Sequence, residues 1–220
     1  MNNPWQNISP EFLVAECDRQ AINALPEKKR EKMELCAFPE PFAGSIDSPV
    51  VCLNLNPGQA DTSIELNGRF KDETLKTLSL NAESLFWLED NLTDGKGVTP
   101  TGAIWWKSLT AKLSEALGHA PRMFVLEYFP YHSPSGFSFP KLPSDSYRNF
   151  LLKKAMDEGK LIVIMRSVRK WFGIQDDDLG KRLEAYQNKI ILKNPQRPFF
   201  SPGNMNEGDW KHLVEVLKQK

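Results

Sequence analysis

The side chains best suited to chemistry stand at the ends of apolar runs. Asn56-Pro57-Gly58 stops the run Val50-Val51-Cys52-Leu53-Asn54-Leu55. Pro57 biases Asn56 towards extended backbone, and Gly58 permits a positive φ or the close approach of a ligand. Tyr131-His132 follows the run Met123–Phe129 in a loop rich in proline and aromatic residues. An imidazole there can act as a general acid or contact a phosphate. Arg166, Arg169 and Lys170 follow Leu161–Met165 as a local basic cluster able to bind phosphates. Each feature also has a plainer reading. Asn-Pro-Gly makes ordinary strand-end turns, a loop histidine is commonly a surface residue, and a basic cluster is commonly a solvated helix face.

Other chemistries are argued against. The chain has no Gly-x-Ser-x-Gly elbow, no phosphate loop ending in Lys-Ser/Thr and no Gly-x-Gly-x-x-Gly fingerprint. His119, His132 and His212 lie far apart and no tight carboxylate cluster accompanies them, so neither a metal site nor a cofactor is expected. Cys17, Cys36 and Cys52 are too few and too unevenly spaced for a disulfide framework. The 28 basic and 28 acidic side chains cancel, which argues against wholesale electrostatic binding of nucleic acid but leaves room for a local basic patch. No apolar run approaches the ~18 residues of a membrane span, and the first residues lack a signal-peptide core. The expected location is the cytoplasm, with no membrane partner.

The elements that must position these residues alternate. Residues 1–9 read as a loose arm. A helix is expected from Pro10 to Leu25 with Ser9 as its cap, then a charged, solvated helix from Glu27 to Cys36. Pro39, Pro41 and Gly44 mark a rigid turn-rich loop, either a surface tie or a loop beside a site. Val50–Leu55 reads as a strand buried on both faces. Residues 71–98 have weak periodicity and are expected to form a lid-like or irregular excursion, with Leu85–Leu88 as an apolar knot. A strong helix runs from Thr101 to Gly118 with Ile104, Trp105, Leu109, Leu113 and Leu117 as its apolar stripe. A second strand follows at Met123–Phe129, a helix from Asp145 to Asp157 capped by Ser144, and a third strand at Leu161–Met165. Further helical segments flank a fourth strand, Lys189–Leu192, and Asn206–Lys218 closes the chain. The fold class is therefore α/β: a three-layer α/β/α sandwich around a mainly parallel four-stranded sheet, with N-terminal helices added. Residues 1–37 form the arm and 38–220 the α/β domain. In a parallel sheet the four strand ends lie on one side, which groups Asn56, His132, Arg166 and Ser201.

A buried strand ending in Asn54-Leu55-Asn56-Pro57-Gly58, preceded by Pro41-Phe42-Ala43-Gly44, resembles the uracil-DNA glycosylase superfamily. The similar branch is the mismatch-specific and single-strand-selective one, whose first motif reads Gly-x-Asn-Pro-Gly. The family's second motif, His-Pro-Ser or Asn-Pro-Ser, corresponds to Ser201-Pro202-Gly203-Asn204. The resemblance spans roughly residues 38–218. It implies hydrolysis of the N-glycosidic bond of a uracil or damaged base, with DNA or a nucleotide-like ligand as partner. Asn56 would hold the attacking water, Gly58 and Gln59 would let the backbone approach the base, and Phe70 would stack on a flipped base. Ser201 to Asn204 would grip the strand or stabilise the departing base. Two positions depart from the pattern: Ser201 replaces the second-motif histidine or asparagine, and Glu127 stands where relatives often carry an asparagine that reads the base edge. Alternatives are a non-catalytic nucleotide or nucleic-acid binding module on the same fold, and a small-molecule hydrolase using Tyr131 and His132.

Overall fold

Strands buried on both faces need apolar residues at every position, not at alternate ones. The computed structural model, which describes residues 1–60, 66, 68–93, 97–134 and 137–219, places three such runs side by side. They are β2 (Val50–Leu53), β3 (Phe124–Leu126) and β4 (Leu161–Ile164), each buried along its whole length. β5 (Lys189–Ile191) joins β4, and β1 (Phe42–Gly44) joins β3. The sheet order is β1-β3-β2-β4-β5, parallel except for β1, which runs antiparallel to β3 with Phe42 opposite Leu126.

The helices are α1 (Glu16–Asn23), α2 (Glu27–Arg30), α3 (Gly68–Leu78), α4 (Thr101–Leu117), α5 (Asp145–Asp157), α6 (Val168–Phe172), α7 (Leu179–Ala185) and α8 (Glu207–Lys218). Val51, Leu53, Phe124, Leu126, Ile162 and Ile164 turn to one face and share a core with α5, α6 and α7 through Leu151, Leu152, Trp171 and Leu183. Val50, Cys52, Val125, Leu161 and Val163 turn to the other and pack with α4 and α8 through Trp106, Leu109, Leu113 and Leu213. This is the expected three-layer sandwich, with five strands in place of four. Among the described residues no helix is long and apolar enough to cross a membrane.

The additional strand comes from the segment read as a rigid loop. Pro41 stands just before β1, so its missing N–H interrupts no ladder, and three residues are too few to show a period. Gly44 ends β1 at φ +83°, and a Cβ there would lie 2.1 Å from the Met123 carbonyl oxygen. The sheet edge therefore closes only over a bare Cα.

The N-terminal residues are not a loose arm. Trp5, Ile8, Ile22 and Met33 belong to the same core as β2 and β3. Ser9 caps no helix; it bridges to Phe12, and α1 begins only at Glu16. The charged stretch after Pro26 is one short helix, after which Met33 turns inwards. Asp18, fully buried on α1, accepts hydrogen bonds from Tyr131 Oη (2.9 Å) and from Ser144 N (2.9 Å) and Oγ (2.7 Å). Ser144 thus spends its hydroxyl on Asp18 rather than on capping α5. The stretch read as a lid holds α3 and a buried turn, Phe86–Leu88; within it, Gly95 and Lys96 lie outside the described residues.

Gly44→Ala should cost about 3 kcal/mol or more, adding left-handed strain to an overpacked contact with backbone. Gly58→Ala, also at positive φ but facing open space, should cost only about 1 kcal/mol. Urea unfolding of the two variants measures the difference.

Candidate functional site

β2 sends the chain towards β3, on one side of the sheet, and β4 sends it towards β5, on the other. Where neighbouring strands diverge in this way, a crevice opens beyond their carboxyl ends. Here that crevice is a cleft of about 510 Å³. Asn54, Asn56, Pro57, Gly58 and Gln59 line it from beyond β2, Glu127 and His132 from beyond β3, and Arg166 from beyond β4. The start of α4 (Thr101, Gly102, Trp105, Trp106) and Trp87 form the opposite wall. The size is that of small-molecule sites generally.

Backbone hydrogen bonds continue past the regular strands and fix these ends. Asn54 N donates to Leu126 O, Phe129 N to Leu55 O, Ser133 N to Gly58 O, and Met165 N to Leu53 O. Asn56, half-buried, donates through Nδ2 to Ser133 O (3.0 Å) and Oγ (3.2 Å). Both bonds use the amide nitrogen, which sets the flip of the amide and leaves Oδ1 as the acceptor Asn56 offers. Gly58 holds the turn at φ +76°.

Behind Asn56 lies a buried polar group. Asn54 Nδ2 donates to Glu127 Oε1 at 2.8 Å, and Trp171 Nε1 donates to the Asn54 carbonyl at 3.0 Å. Asn54 Oδ1, Glu127 Oε2 and Arg166 Nε are buried without a hydrogen-bond partner among the described residues. Buried polar atoms are nearly always paired, and these three orphans stand on residues that line one cleft. Burial pushes the Glu127 carboxyl up to about 8, against the opposing pull of the Asn54 amide and the Arg166 charge. Burial likewise holds Arg166 below its ordinary value, with Glu127 pulling the other way. The guanidinium lies over the Trp105 ring, 5.4 Å from its centroid, which fixes its plane against the aromatic wall.

Of the residues singled out in the sequence, Asn56, Gly58, Gln59, Glu127, His132 and Arg166 share this cleft. The others do not line it. Phe70 is buried against Phe86 and Trp87, so it supports the wall and cannot stack on a ligand. Tyr131 is buried, donating to Asp18 and accepting from Ala15 N; burial raises its phenol far beyond any acid role. Ser201, Pro202 and Gly203 lie beyond β5. Asn204 there is spent on its own loop, accepting from Asn194 N and donating to the Arg197 and Phe199 carbonyls. Arg169 is exposed on α6. His132 is in the cleft wall, but burial lowers it to about 4, overcoming the Gly58 and Phe38 carbonyls that favour its cation. At neutral pH it is an uncharged strut, suited neither to donating a proton nor to neutralising a phosphate. Among the described residues no group of three His, Cys, Asp or Glu side chains is placed to hold a metal.

Asn54, Trp87, Trp105 and Trp106 are the residues that sequence reasoning missed. Asn54 had a signal, being the one polar residue in an apolar strand. Trp105 was hidden by its place in the helical stripe of α4. The family models, curated proteins and solved structures compared with this chain give no match.

The Glu127 carboxyl has a sign-definite effect on stability. The unfolded carboxyl loses its proton near 4.5 and the folded one near 8, so the folded chain binds more protons between them. Stability from this group therefore falls as pH rises across that window. Glu127→Gln removes the penalty. Its thermal midpoint should exceed that of the native chain by a margin that grows from about pH 5 to about pH 8 and then levels off, read by calorimetry.

Proposed function

We propose that this protein is a uracil-DNA-glycosylase-like hydrolase that releases a uracil or damaged base by cleaving its N-glycosidic bond. The observation that carries the reading is the cleft itself. It gathers the Asn-Pro-Gly turn, a wall of three tryptophans and the buried Asn54–Glu127–Arg166 group into a space suited to one flipped base. A planar base can lie against Trp87, Trp105 and Trp106, its polar edge towards Asn54, Glu127 and Arg166. The sugar then faces the mouth, where Asn56 stands.

The chemistry available there is positional. Asn56 has no basic nitrogen and cannot deprotonate water, but Oδ1 can accept a hydrogen bond from a water and aim it at the sugar carbon. Glu127 is largely protonated at neutral pH and is a poor base. Bond breaking must therefore run ahead of water attack, with negative charge gathering on the departing base. Arg166 is the cation in the cleft that can meet that charge, a part the family resemblance gives to Ser201–Asn204.

Asn56→Ala should lower base release from uracil- or damaged-base oligonucleotides by about a hundredfold or more, without loss of binding. No release from any such substrate by the native chain overturns the hydrolase reading. One observation favours a second reading, a binding module without turnover: the Ser201 loop does not line the cleft. Salt-sensitive binding of the same oligonucleotides with no base released, lost on Arg166→Met, identifies that case.

A further inference from the structure

The orphaned atoms specify more than the presence of a ligand. Asn54 Oδ1 is an acceptor, Arg166 Nε is a donor, and Glu127 Oε2 is an acceptor when ionised. All three residues line one cleft, and the Nδ2–Oε1 bond of 2.8 Å holds the Asn54 and Glu127 side chains together. A ligand edge that satisfies all three while Glu127 is ionised must bring two N–H donors and one carbonyl acceptor.

We propose that Asn54, Glu127 and Arg166 form a recognition set for a guanine-type edge, the sequence carbonyl, ring N–H and amino group of a 2-amino-oxopurine. Arg166 Nε donates to the carbonyl, and the ring N–H and amino group donate to Asn54 Oδ1 and Glu127 Oε2. This rests on the reading of the cleft as a base site, and it narrows the base to guanine or a damaged guanine that keeps that edge.

The count of donors also explains why Glu127 rather than an amide stands here. A glutamine could turn either its acceptor or its N–H₂ towards the ligand, whereas a carboxylate offers acceptors only. Placing N–H donors on Oε2 favours the ionised carboxyl, so binding a guanine-type edge releases the proton that Glu127 holds in the empty cleft. A dioxopyrimidine such as uracil has the opposite requirement. Its two carbonyls need donors on both flanks of the N–H, which the set provides only while Glu127 keeps its proton. The other titratable groups around the cleft do not produce this switch. Arg166 stays charged throughout, His132 is neutral above about 4, and Glu40 lies at the rim before β1.

The test is calorimetric titration of the full chain with deoxyguanosine and with deoxyuridine between about pH 6 and pH 8. Deoxyguanosine affinity should rise by up to about tenfold per pH unit below the Glu127 midpoint, with a proton released in paired buffers of different ionisation heat. Deoxyuridine affinity should not rise. Glu127→Gln should abolish the pH dependence and weaken deoxyguanosine about tenfold or more. Deoxyguanosine affinity that is flat with pH, or no tighter than deoxyuridine at about pH 8, overturns the proposal. If Glu127→Gln fails to fold, the two nucleoside series on the native chain decide alone. An oligonucleotide arm separates the sources: binding seen only when the guanine is in a strand assigns the edge to nucleic acid, while equal binding of the nucleoside assigns it to a free nucleotide. Because the readout is binding, guanine association without base release removes the hydrolase reading and leaves this one. Uracil release without guanine association does the reverse.

Discussion

One buried asparagine joins three elements at the end of the central strand. Asn54 donates its backbone N–H to Leu126 at the end of β3, accepts the Trp171 indole N–H from α6 on its carbonyl, and donates its side-chain amide to Glu127. A polar residue this deep costs stability unless its groups are paired, and all but Oδ1 are. The divergence of β2 and β4 is set by the fold, but the cleft stays open because Asn54 and Glu127 occupy its floor instead of an apolar pair that would close over it. The residues that line the cleft and the residues that hold the strand ends together are partly the same.

The floor also fixes the electrostatic character of the site. Glu127 and Arg166 are a potential ion pair, yet burial draws each towards its neutral form. In water the pair would be worth little; in the cleft it is poised, because neither group is fully solvated and neither is fully bonded. Such a floor suits an uncharged heterocycle with several hydrogen-bonding atoms better than a phosphate, which would leave the Asn54 Oδ1 acceptor facing only acceptors. Phosphate contacts, if the ligand is a nucleotide, belong at the mouth of the cleft, where Thr101 is exposed at the start of α4.

How much of this could be read from the sequence follows from the length and purity of each signal. β2, β3 and β4 were legible because strands buried on both faces leave unbroken apolar runs. β1 was not, since three residues beside a proline carry no period. In α4 the helix and its Gly118 stop were clear, but the stripe mixed roles: Leu109 and Leu113 are core, Ile104 is exposed, and Trp105 lines the cleft. Tertiary context, not periodicity, separates these. Phe70 shows the converse, an aromatic in a polar neighbourhood that turns out to be packed beneath Trp87. The strand-end rule grouped Asn56, His132 and Arg166, which share the cleft, with Ser201, which does not because β5 is one strand removed from the crevice.

The N-terminal segment is where sequence reasoning and structure part most sharply, and the reason bears on the site. Asp18 holds Tyr131 by its hydroxyl, and Tyr131 is followed by His132 and Ser133. His132 engages the Gly58 carbonyl, and Ser133 receives both hydrogen bonds of the Asn56 amide. Glu34 adds a second grip, donating its N–H to the His132 carbonyl and accepting the Ala60 N–H on its carboxylate. The two loops that carry the Asn-Pro-Gly turn and its partner are thus pinned from outside by residues 18 and 34. A short turn on the rim of an open cleft would otherwise sample several amide orientations, and only one presents Oδ1. Residues 1–37, none of which lines the cleft, fix the orientation on which any role for Asn56 depends.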